Sequence, residues 1–190
     1  LSRLVNDNWF KKGHTSQKIV INSFNRLQNV YFDYAHSNYL KKNSLFLQVN
    51  KEGDYSFNDY HRLVLAMGGA HALRPHNRKF YFNTIEDRFE PIYYDGMFHF
   101  STFNFSESKG YELLLQAPVS EDLIDRVRKT LTSQNIKNRF FIRIETASSE
   151  EDFYNEKINQ IINNLSSFER LALSNREWDS VGEYVDKSWY

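Results

Sequence analysis

The sequence predicts an α+β domain that is mostly helical and carries one β-hairpin near its middle. Apolar residues recur at three- and four-residue steps over 15–38 and again over 120–131, which is typical of amphipathic helices. Between them, the aromatic runs KFYFN and RFEPIYY flank the tetrapeptide TIED, and this arrangement predicts two antiparallel strands joined by a turn. With 190 residues, 41% of them hydrophobic and 16% aromatic, the chain has enough apolar surface for one folded domain.

Composition excludes several kinds of site. The 24 Lys and Arg residues balance the 24 Asp and Glu residues, so the chain lacks the broad positive charge of a nucleic-acid-binding domain. Cysteine is absent, which excludes disulfides and thiolate-bound metals. Without a run of about 18 apolar residues or a signal peptide, we expect no membrane span in this segment, and the compartment stays unknown. Because the sequence opens with Leu1, we expect it to be part of a longer or processed protein.

The first part of the chain is predicted to hold two helices. The first covers 15–38, and its apolar stripe consists of Phe24, Leu27, Val30, Tyr31 and Tyr34. Residues 44–50 are expected to be extended or a short linker, and KEGD at 51–54 is expected to be a turn. The second helix begins near Ser56 and ends at the pair Gly68-Gly69, a common C-terminal signal. Its buried face would contain Tyr60, Leu63, Val64 and Met67.

The middle of the chain is predicted to be extended. The hairpin strands are 79–83 and 88–94, and Pro91 places its strand at a sheet edge or a bulge because proline cannot donate to a ladder. Residues 97–105 and 111–116 are expected to be further short extended segments. The phenylalanines of FHFSTFNF predict one face of a core strand, with an exposed platform for a sugar or peptide as the alternative. These phenylalanines are Phe98, Phe100, Phe103 and Phe105.

The second half is predicted to be mainly helical. Residues 120–131 form a helix that opens with acidic side chains and places its apolar residues on one face. In FFIRIET at 140–146, Phe141, Arg143 and Glu145 alternate with Ile142 and Ile144, which predicts a strand or an extended connection. A single domain is therefore expected to cover 1–174, and 175–190 is expected to be a polar C-terminal tail.

A last long helix is expected near the end of this domain. Ser148 and Glu151 have the spacing of a capping box, which predicts a helix start. The helix would extend to about Leu165, and a further helical turn would cover 168–173.

One polar loop stands apart from this ordinary pattern. HALRPHNR at 71–78 carries two His, two Arg and one Asn between a helix end and the hairpin, and Asp95 with Gly96 follows the hairpin. Kinase-like phosphotransferases use this layout, because an Asn closing the catalytic loop and an Asp beyond a short hairpin hold Mg²⁺ between them. An amide oxygen and one carboxylate suit Mg²⁺, which keeps the rest of its shell for water and phosphate. Arg74 and Arg78 would face phosphate oxygens.

The segment GGAHALRPHNRKFYFNTIEDRFEPIYYDG resembles, over residues 69–96, the catalytic segment of the CotH-like (spore coat protein H) atypical kinases. It is more weakly similar to HipA-like kinases, which also place a Pro and a Tyr-Asp at this strand end. The resemblance implies the C-terminal lobe of a kinase-like fold, with Mg²⁺ and ATP as cofactors and a hydroxyl-bearing acceptor. Carried over position by position, Asn77 and Asp95 match the metal-binding residues, and His76 matches the His before the Asn.

The segment departs from the family pattern at one position. Loops of this type usually carry an Asp about five residues before the Asn, where this chain has Ala72. His71 is the candidate base in its place, because imidazole titrates near neutral pH. Arg74 would then contact phosphate, and Arg78 would bind the nucleotide. The Lys that anchors ATP would belong to an N-terminal lobe, so either that lobe lies upstream in the parent chain or this segment belongs to a degenerate relative.

Other interpretations stay open at this point. The domain is either an active phosphotransferase, its degenerate descendant, or a non-catalytic interaction or scaffolding domain of an envelope- or polysaccharide-related protein, which Ala72 favours. A metallohydrolase would hold zinc or iron with His71, His76 and Asp95. Each residue also has a plain structural interpretation as a loop cap, a turn residue or a surface ion pair. HExxH, GxSxG, P-loop and GxGxxG motifs are absent from the sequence.

Overall fold

The computed structural model describes residues 7–36, 50–51, 53–74, 77–103, 111, 114–115, 117–143 and 149–174. Within these residues the protein is a mixed α+β fold that is mostly helical, which confirms the predicted class. The helices are α1 (Asp7–Phe10), α2 (His14–His36), α3 (Ser56–Ala66), α4 (Leu123–Leu131), α5 (Gln134–Arg143) and α6 (Ser149–Ser174). A 3₁₀ turn covers Ala70–Leu73, and the strands β1 (Lys79–Asn83) and β2 (Arg88–Ile92) form a two-stranded sheet. None of the described helices is both long enough and apolar enough to cross a membrane.

Helix α2 and the hairpin form a small aromatic cluster, which we call the hairpin cluster. The strands pair antiparallel, with Phe82 opposite Phe89 and Phe80 opposite Pro91, so these four residues share one face of the sheet. Rings from that face pack with α2 and with the start of α3. The buried members of the cluster are Leu27, Phe57 and Phe89. The predicted first helix and the predicted hairpin are therefore both confirmed.

The main core lies between α3, α4 and α6. Its buried side chains are Val64, Leu65, Ala66, Ala72, Leu73, Leu114, Leu115, Leu123, Val127, Tyr154, Ile158, Ile161, Ile162, Leu165 and Phe168. Helix α4 matches the helix predicted over 120–131. Helix α3 also begins and ends where the sequence predicts. Its C-terminal end is set by Gly68, which adopts a φ of +72° that an L side chain would resist. Gly69 N–H then donates to the Val64 carbonyl oxygen (2.8 Å), which closes a Schellman motif.

One prediction for the second half is wrong. Residues 140–143 of the predicted strand or extended connection belong to α5, because alternation over so few residues does not distinguish a strand from a helix. At the start of α5, Gln134 Nε2 donates to Asn138 Oδ1 (2.7 Å), a contact between residues one helical turn apart. The helix expected to about Leu165 and the helical turn expected over 168–173 are both helical, and α6 covers them as one continuous helix.

The segment 97–103 does not form the expected strand. Met97 and Phe100 adopt φ values of +50° and +48°, which lie outside the extended region. Phe100 and Phe103 nevertheless pack against the main core, as their apolar character predicts. Residues 114–115, which were also expected to be extended, are helical.

One buried amide ties this irregular segment to the helices. Asn164 on α6 is 3% exposed, and its Nδ2 donates to the carbonyl oxygens of Ala66 (2.8 Å) and Ser101 (2.9 Å). Its Oδ1 accepts a hydrogen bond from Phe103 N–H (3.0 Å). A single side chain therefore satisfies backbone groups at the end of α3 and in the segment 97–103, where regular pairing does not.

A buried arginine holds the chain that leads into α4. Arg62 on α3 is 3% exposed and donates to the carbonyl oxygens of Leu114 (3.4 Å), Leu115 and Ala117 (3.2 Å). Burial lowers the pKa of the Arg62 guanidinium to about 10, while the carboxylates of Glu169 and Asp59 oppose that shift. The side chain therefore stays charged at neutral pH and neutralises a set of carbonyl dipoles.

The side-chain amide of Asn50 fastens the chain before α3 to β2. Its Oδ1 accepts from Phe89 N–H (2.7 Å), and its Nδ2 donates to the Phe89 carbonyl oxygen (2.8 Å). Directly after it, Asp54 N–H donates to the Lys51 carbonyl oxygen (3.1 Å), which confirms the turn predicted at 51–54. Several other predictions lie outside the described residues, namely those for 44–49, Phe105, Ser148 and the tail 175–190.

Candidate functional site

The 3₁₀ turn sets the course of the polar loop. Ala72 N–H donates to the Gly69 carbonyl oxygen (2.9 Å), so the turn begins directly at the end of α3. Ala72 and Leu73 are each 2% exposed and belong to the main core. With these two side chains inside, His71 is partly buried and Arg74 is exposed. The loop is therefore fixed from below by apolar burial, and Arg74 reaches the surface.

Asn77 closes this loop. Its backbone N–H donates to the Arg74 carbonyl oxygen (2.9 Å), and its side-chain Nδ2 donates to the His71 carbonyl oxygen (3.0 Å). The residue is 5% exposed. Its amide nitrogen is thus committed to loop backbone, so a cation at this position would meet the amide oxygen.

Asp95 lies in a tight turn beyond the hairpin. It adopts a φ of +49°, and the next residue, Gly96, donates from its N–H to the Tyr93 hydroxyl oxygen (2.9 Å). A Cβ at Gly96 would collide with the Tyr93 ring, which in turn stacks on Phe98 with ring centroids 4.5 Å apart. Asp95 is therefore placed by close packing of the turn around it, and its own side chain stays 51% exposed.

An imidazole joins the loop to the turn beyond the hairpin. His71 Nε2 lies 3.5 Å from Asp95 Oδ2, while the backbone of His71 accepts the hydrogen bond from Asn77. His71 therefore contacts Asn77 through its backbone and Asp95 through its imidazole, although the whole hairpin separates Asn77 from Asp95 in the sequence. We call these three residues the loop triad.

Backbone strain is concentrated next to the loop triad. Three of the four described non-glycine residues with positive φ lie here, namely Asp95, Met97 and Phe100, and the fourth is Asp87 in the hairpin turn. Each such residue costs on the order of 1–3 kcal/mol, and such positions cluster at functional sites. The segment holds them because Asn164 and the stacked Tyr93 and Phe98 rings fix it on both sides.

Arg78 lies beneath the loop rather than at its surface. Its Nε donates to the Leu73 carbonyl oxygen (2.9 Å), and its Nη1 lies 2.7 Å from His61 Nε2. The predicted contact of Arg78 with a nucleotide stays a prediction, and these bonds identify a structural task for the same guanidinium. Arg74, the other loop arginine, remains exposed.

His61 is a member of this region that the sequence interpretation missed. It is 0% exposed on α3, and burial lowers its pKa well below the ordinary value, with the positive charge of Arg78 adding to the effect. A signal for its burial is present in the sequence, since His61 follows Phe57 by four residues and precedes Val64 and Leu65 by three and four. That spacing places it on the apolar stripe of the helix.

The remaining histidines give no larger cluster in the described part of the chain. His76 lies outside the described residues, so its predicted roles beside Asn77 and in a zinc or iron site stay predictions. His99 is exposed and packs against Gly68. Among the described residues, no three His, Cys, Asp or Glu side chains gather closely enough to hold a metal by themselves. The loop triad would supply one carboxylate and one amide, a donor set suited to Mg²⁺ with its own waters.

Aromatic residues beside the triad are largely engaged with each other or with a cation. Lys79 Nζ lies 3.2 Å from the centroid of the Tyr94 ring, a cation–π contact. Tyr93 covers Phe98, which in turn contacts Phe100 at 5.5 Å between centroids. These contacts favour the core interpretation of the phenylalanine-rich segment over an open aromatic platform.

Comparisons of the chain with protein-family models, with curated proteins and with solved structures found no significant match.

Proposed function

We propose that this chain is a kinase-like domain that binds Mg²⁺ and a nucleotide and transfers a phosphoryl group to a hydroxyl acceptor. The observation that supports the proposal is the link between loop and turn. The imidazole of His71 lies 3.5 Å from Asp95, and the backbone carbonyl oxygen of His71 accepts a hydrogen bond from the Asn77 side chain (3.0 Å), so one residue contacts both the amide and the carboxylate. An arrangement of an Asn in a loop and an Asp beyond a hairpin is what Mg²⁺-dependent phosphoryl transfer of this type needs.

The donor set fits Mg²⁺ better than it fits a transition metal. The carboxylate of Asp95 is half exposed, so a hydrated cation can reach it. Asn77 has its nitrogen bound to the loop, which leaves the oxygen end of the amide for a hard cation. Bound there, Mg²⁺ would neutralise phosphate oxygens and align them for transfer.

The other loop residues have roles that follow from their positions. His71 would take the proton of the acceptor hydroxyl, with Asp95 orienting the imidazole. Arg74, exposed at the end of the 3₁₀ turn, would attract the phosphates. Arg78 would act indirectly, since its guanidinium holds the loop backbone from below.

Metal and nucleotide binding by the 190-residue chain test this proposal. We expect saturable binding of Mn²⁺, followed by water-proton relaxation, and of Mg·ATP, followed by calorimetry. Asp95→Asn removes the charged ligand and should weaken both by about tenfold or more, since even outer partners of a metal ligand contribute that much. The matched control is Asp125→Asn on α4, whose carboxylate is 83% exposed and pairs only locally with Arg128. If neither probe binds saturably, or if Asp95→Asn behaves as the control does, the proposal is wrong.

A second candidate is a non-catalytic interaction or scaffolding domain, and one observation favours it. The position where related loops usually carry an Asp is occupied by Ala72, which is 2% exposed in the main core. A side chain at this position therefore lies inside the domain, away from the loop triad. If the chain is a domain of this second kind, calorimetry with Mg·ATP should give no heat of binding although the protein is folded and stable.

A further inference from the structure

A buried imidazole and a guanidinium support the polar loop from below. His61 is fully buried on α3, and Arg78 Nη1 lies 2.7 Å from its Nε2. The same guanidinium donates through Nε to the Leu73 carbonyl oxygen at the end of the 3₁₀ turn. Arg78 also directly follows Asn77, whose side chain holds the His71 carbonyl oxygen of the same turn. Two neighbouring side chains thus fix one short turn, and His61 fixes one of those two.

The short contact defines the protonation state of His61. A guanidinium has only donors, so His61 Nε2 must accept, and the neutral ring then carries its proton on Nδ1. Nδ1 is buried and has no hydrogen-bond partner among the described residues. A second proton on Nε2 would remove the acceptor and place two cations 2.7 Å apart without water between them.

We infer that His61 and Arg78 are positioning residues of the loop triad, which hold His71 and Asn77 in place while His61 is neutral and release them in acid. The inference rests on the proposed function only in assigning a catalytic role to the loop that these residues hold. The geometry that carries it involves no ligand, so the loop can be tested by itself.

The direction of the pH dependence follows from the surroundings of His61. Arg78 is the charged group that acts on it, and Tyr60 on the same helix is a titratable neighbour, with ring centroids 5.9 Å apart. Burial raises the pKa of Tyr60, so this neighbour stays neutral in the relevant range. Burial first, and Arg78 second, lower the pKa of His61 from its ordinary 6.5. Support of the loop is therefore complete above about pH 6.5 and is lost as the pH falls from there towards the lowered pKa of His61.

Hydrogen exchange of the loop at two pH values tests the inference. After correction for intrinsic exchange, a peptide covering 69–80 should lose protection by about tenfold or more between pH 7 and pH 5, relative to a peptide from α6. His61→Gln keeps an acceptor for Arg78 without a titrating group, so protection should stay at the wild-type level at pH 7 and lose its pH dependence. His61→Leu removes the acceptor and should lower protection at both pH values.

The control is His14→Gln, because His14 is an exposed histidine at the start of α2 and its replacement should leave the wild-type profile unchanged. An NMR titration of the wild-type protein needs no variant. It should give a midpoint for His61 well below 6.5, with loop amide shifts that follow the same midpoint. A midpoint near the ordinary value, or loop amide shifts that do not follow the His61 midpoint, would overturn the inference. Because neither measurement uses Mg²⁺ or ATP, a negative result would contradict this inference without contradicting the proposed function.

Discussion

The main core and the hairpin cluster differ in size and in the contacts that hold them together. The main core is large, and Arg62 and Asn164 within it satisfy carbonyl oxygens that would otherwise be buried alone. The hairpin cluster is small and is joined mainly by ring contacts such as Phe82 with Phe89, whose centroids are 4.9 Å apart. Helix α3 belongs to both clusters, because Phe57 at its start faces the hairpin and Leu65 near its end faces the main core.

The loop triad lies across the boundary between these two clusters. Its 3₁₀ turn is anchored in the main core through Leu73, while Asn77 leads directly into β1 of the hairpin. The loop therefore takes its stability from the larger cluster, and Asp95 depends on the smaller one through the strands. Variants that weaken one cluster at a time should therefore separate the two contributions.

The largest expected difference comes from removing one ring from each cluster. Phe168→Ala empties a site that is 0% exposed and packed edge-on by Phe103 at 4.6 Å, and it should cost about 4–5 kcal/mol. Phe89→Ala should cost about 3 kcal/mol, because the small cluster can close partly over the gap. Urea unfolding measures both values. A larger loss for Phe89→Ala would show that the hairpin cluster dominates the fold.

The next difference concerns the two buried or partly buried asparagines that bind backbone. Asn164→Ala removes the side-chain hydrogen bonds to the backbone groups of Ala66, Ser101 and Phe103 and should cost about 2–3 kcal/mol. Asn50→Ala removes the hydrogen bonds to the N–H and the carbonyl oxygen of Phe89 at the edge of the sheet and should cost about 1–2 kcal/mol. Hydrogen exchange should show the first change throughout the helices and the second in β2 alone. Equal and global effects would contradict the separation of the clusters.

The smallest effect is expected at the surface of the hairpin cluster. Lys51 and Asp87 form an ion pair at 3.5 Å with side chains 73% and 60% exposed, so Lys51→Met should change stability by less than about 0.5 kcal/mol. Arg26→Met should cost about 1 kcal/mol, because Arg26 also donates to the Asp87 carbonyl oxygen and lies over the Phe89 ring. Thermal unfolding in low and high salt compares the two. A larger loss of stability for Lys51→Met than for Arg26→Met would contradict this ranking.

The sequence was sufficient to predict elements whose periodicity is strong and whose ends carry chemical signals. Helix α2 follows its apolar stripe, α3 ends at Gly68, and the hairpin follows from two aromatic runs around a polar turn. Where the pattern is short it misled, since residues 140–143 of the alternating run belong to a helix. Local alternation cannot decide between strand and helix, because the decision depends on which neighbour buries the side chain.

The candidate site was predictable only in outline. Asn77 and Asp95 follow from the order of loop, hairpin and Asp-Gly, because a hairpin returns the chain to the place where it left. The partnership of His61 with Arg78 does not follow from order, since it depends on how α3 passes beneath the loop. The positive φ at Met97 and Phe100 is also invisible in the sequence, because it is imposed by contacts with Asn164 and the stacked rings.

The side-chain amide of Asn50 has a consequence for contacts between molecules. Phe89 and Pro91 are the β2 residues whose backbone groups face away from β1, because Phe89 gives both of its groups to Asn50 and Pro91 has no N–H. Neither position offers a free donor to an incoming chain. This border of the sheet is therefore closed to strand addition, and the hairpin is protected there from the edge-to-edge aggregation that threatens short open sheets.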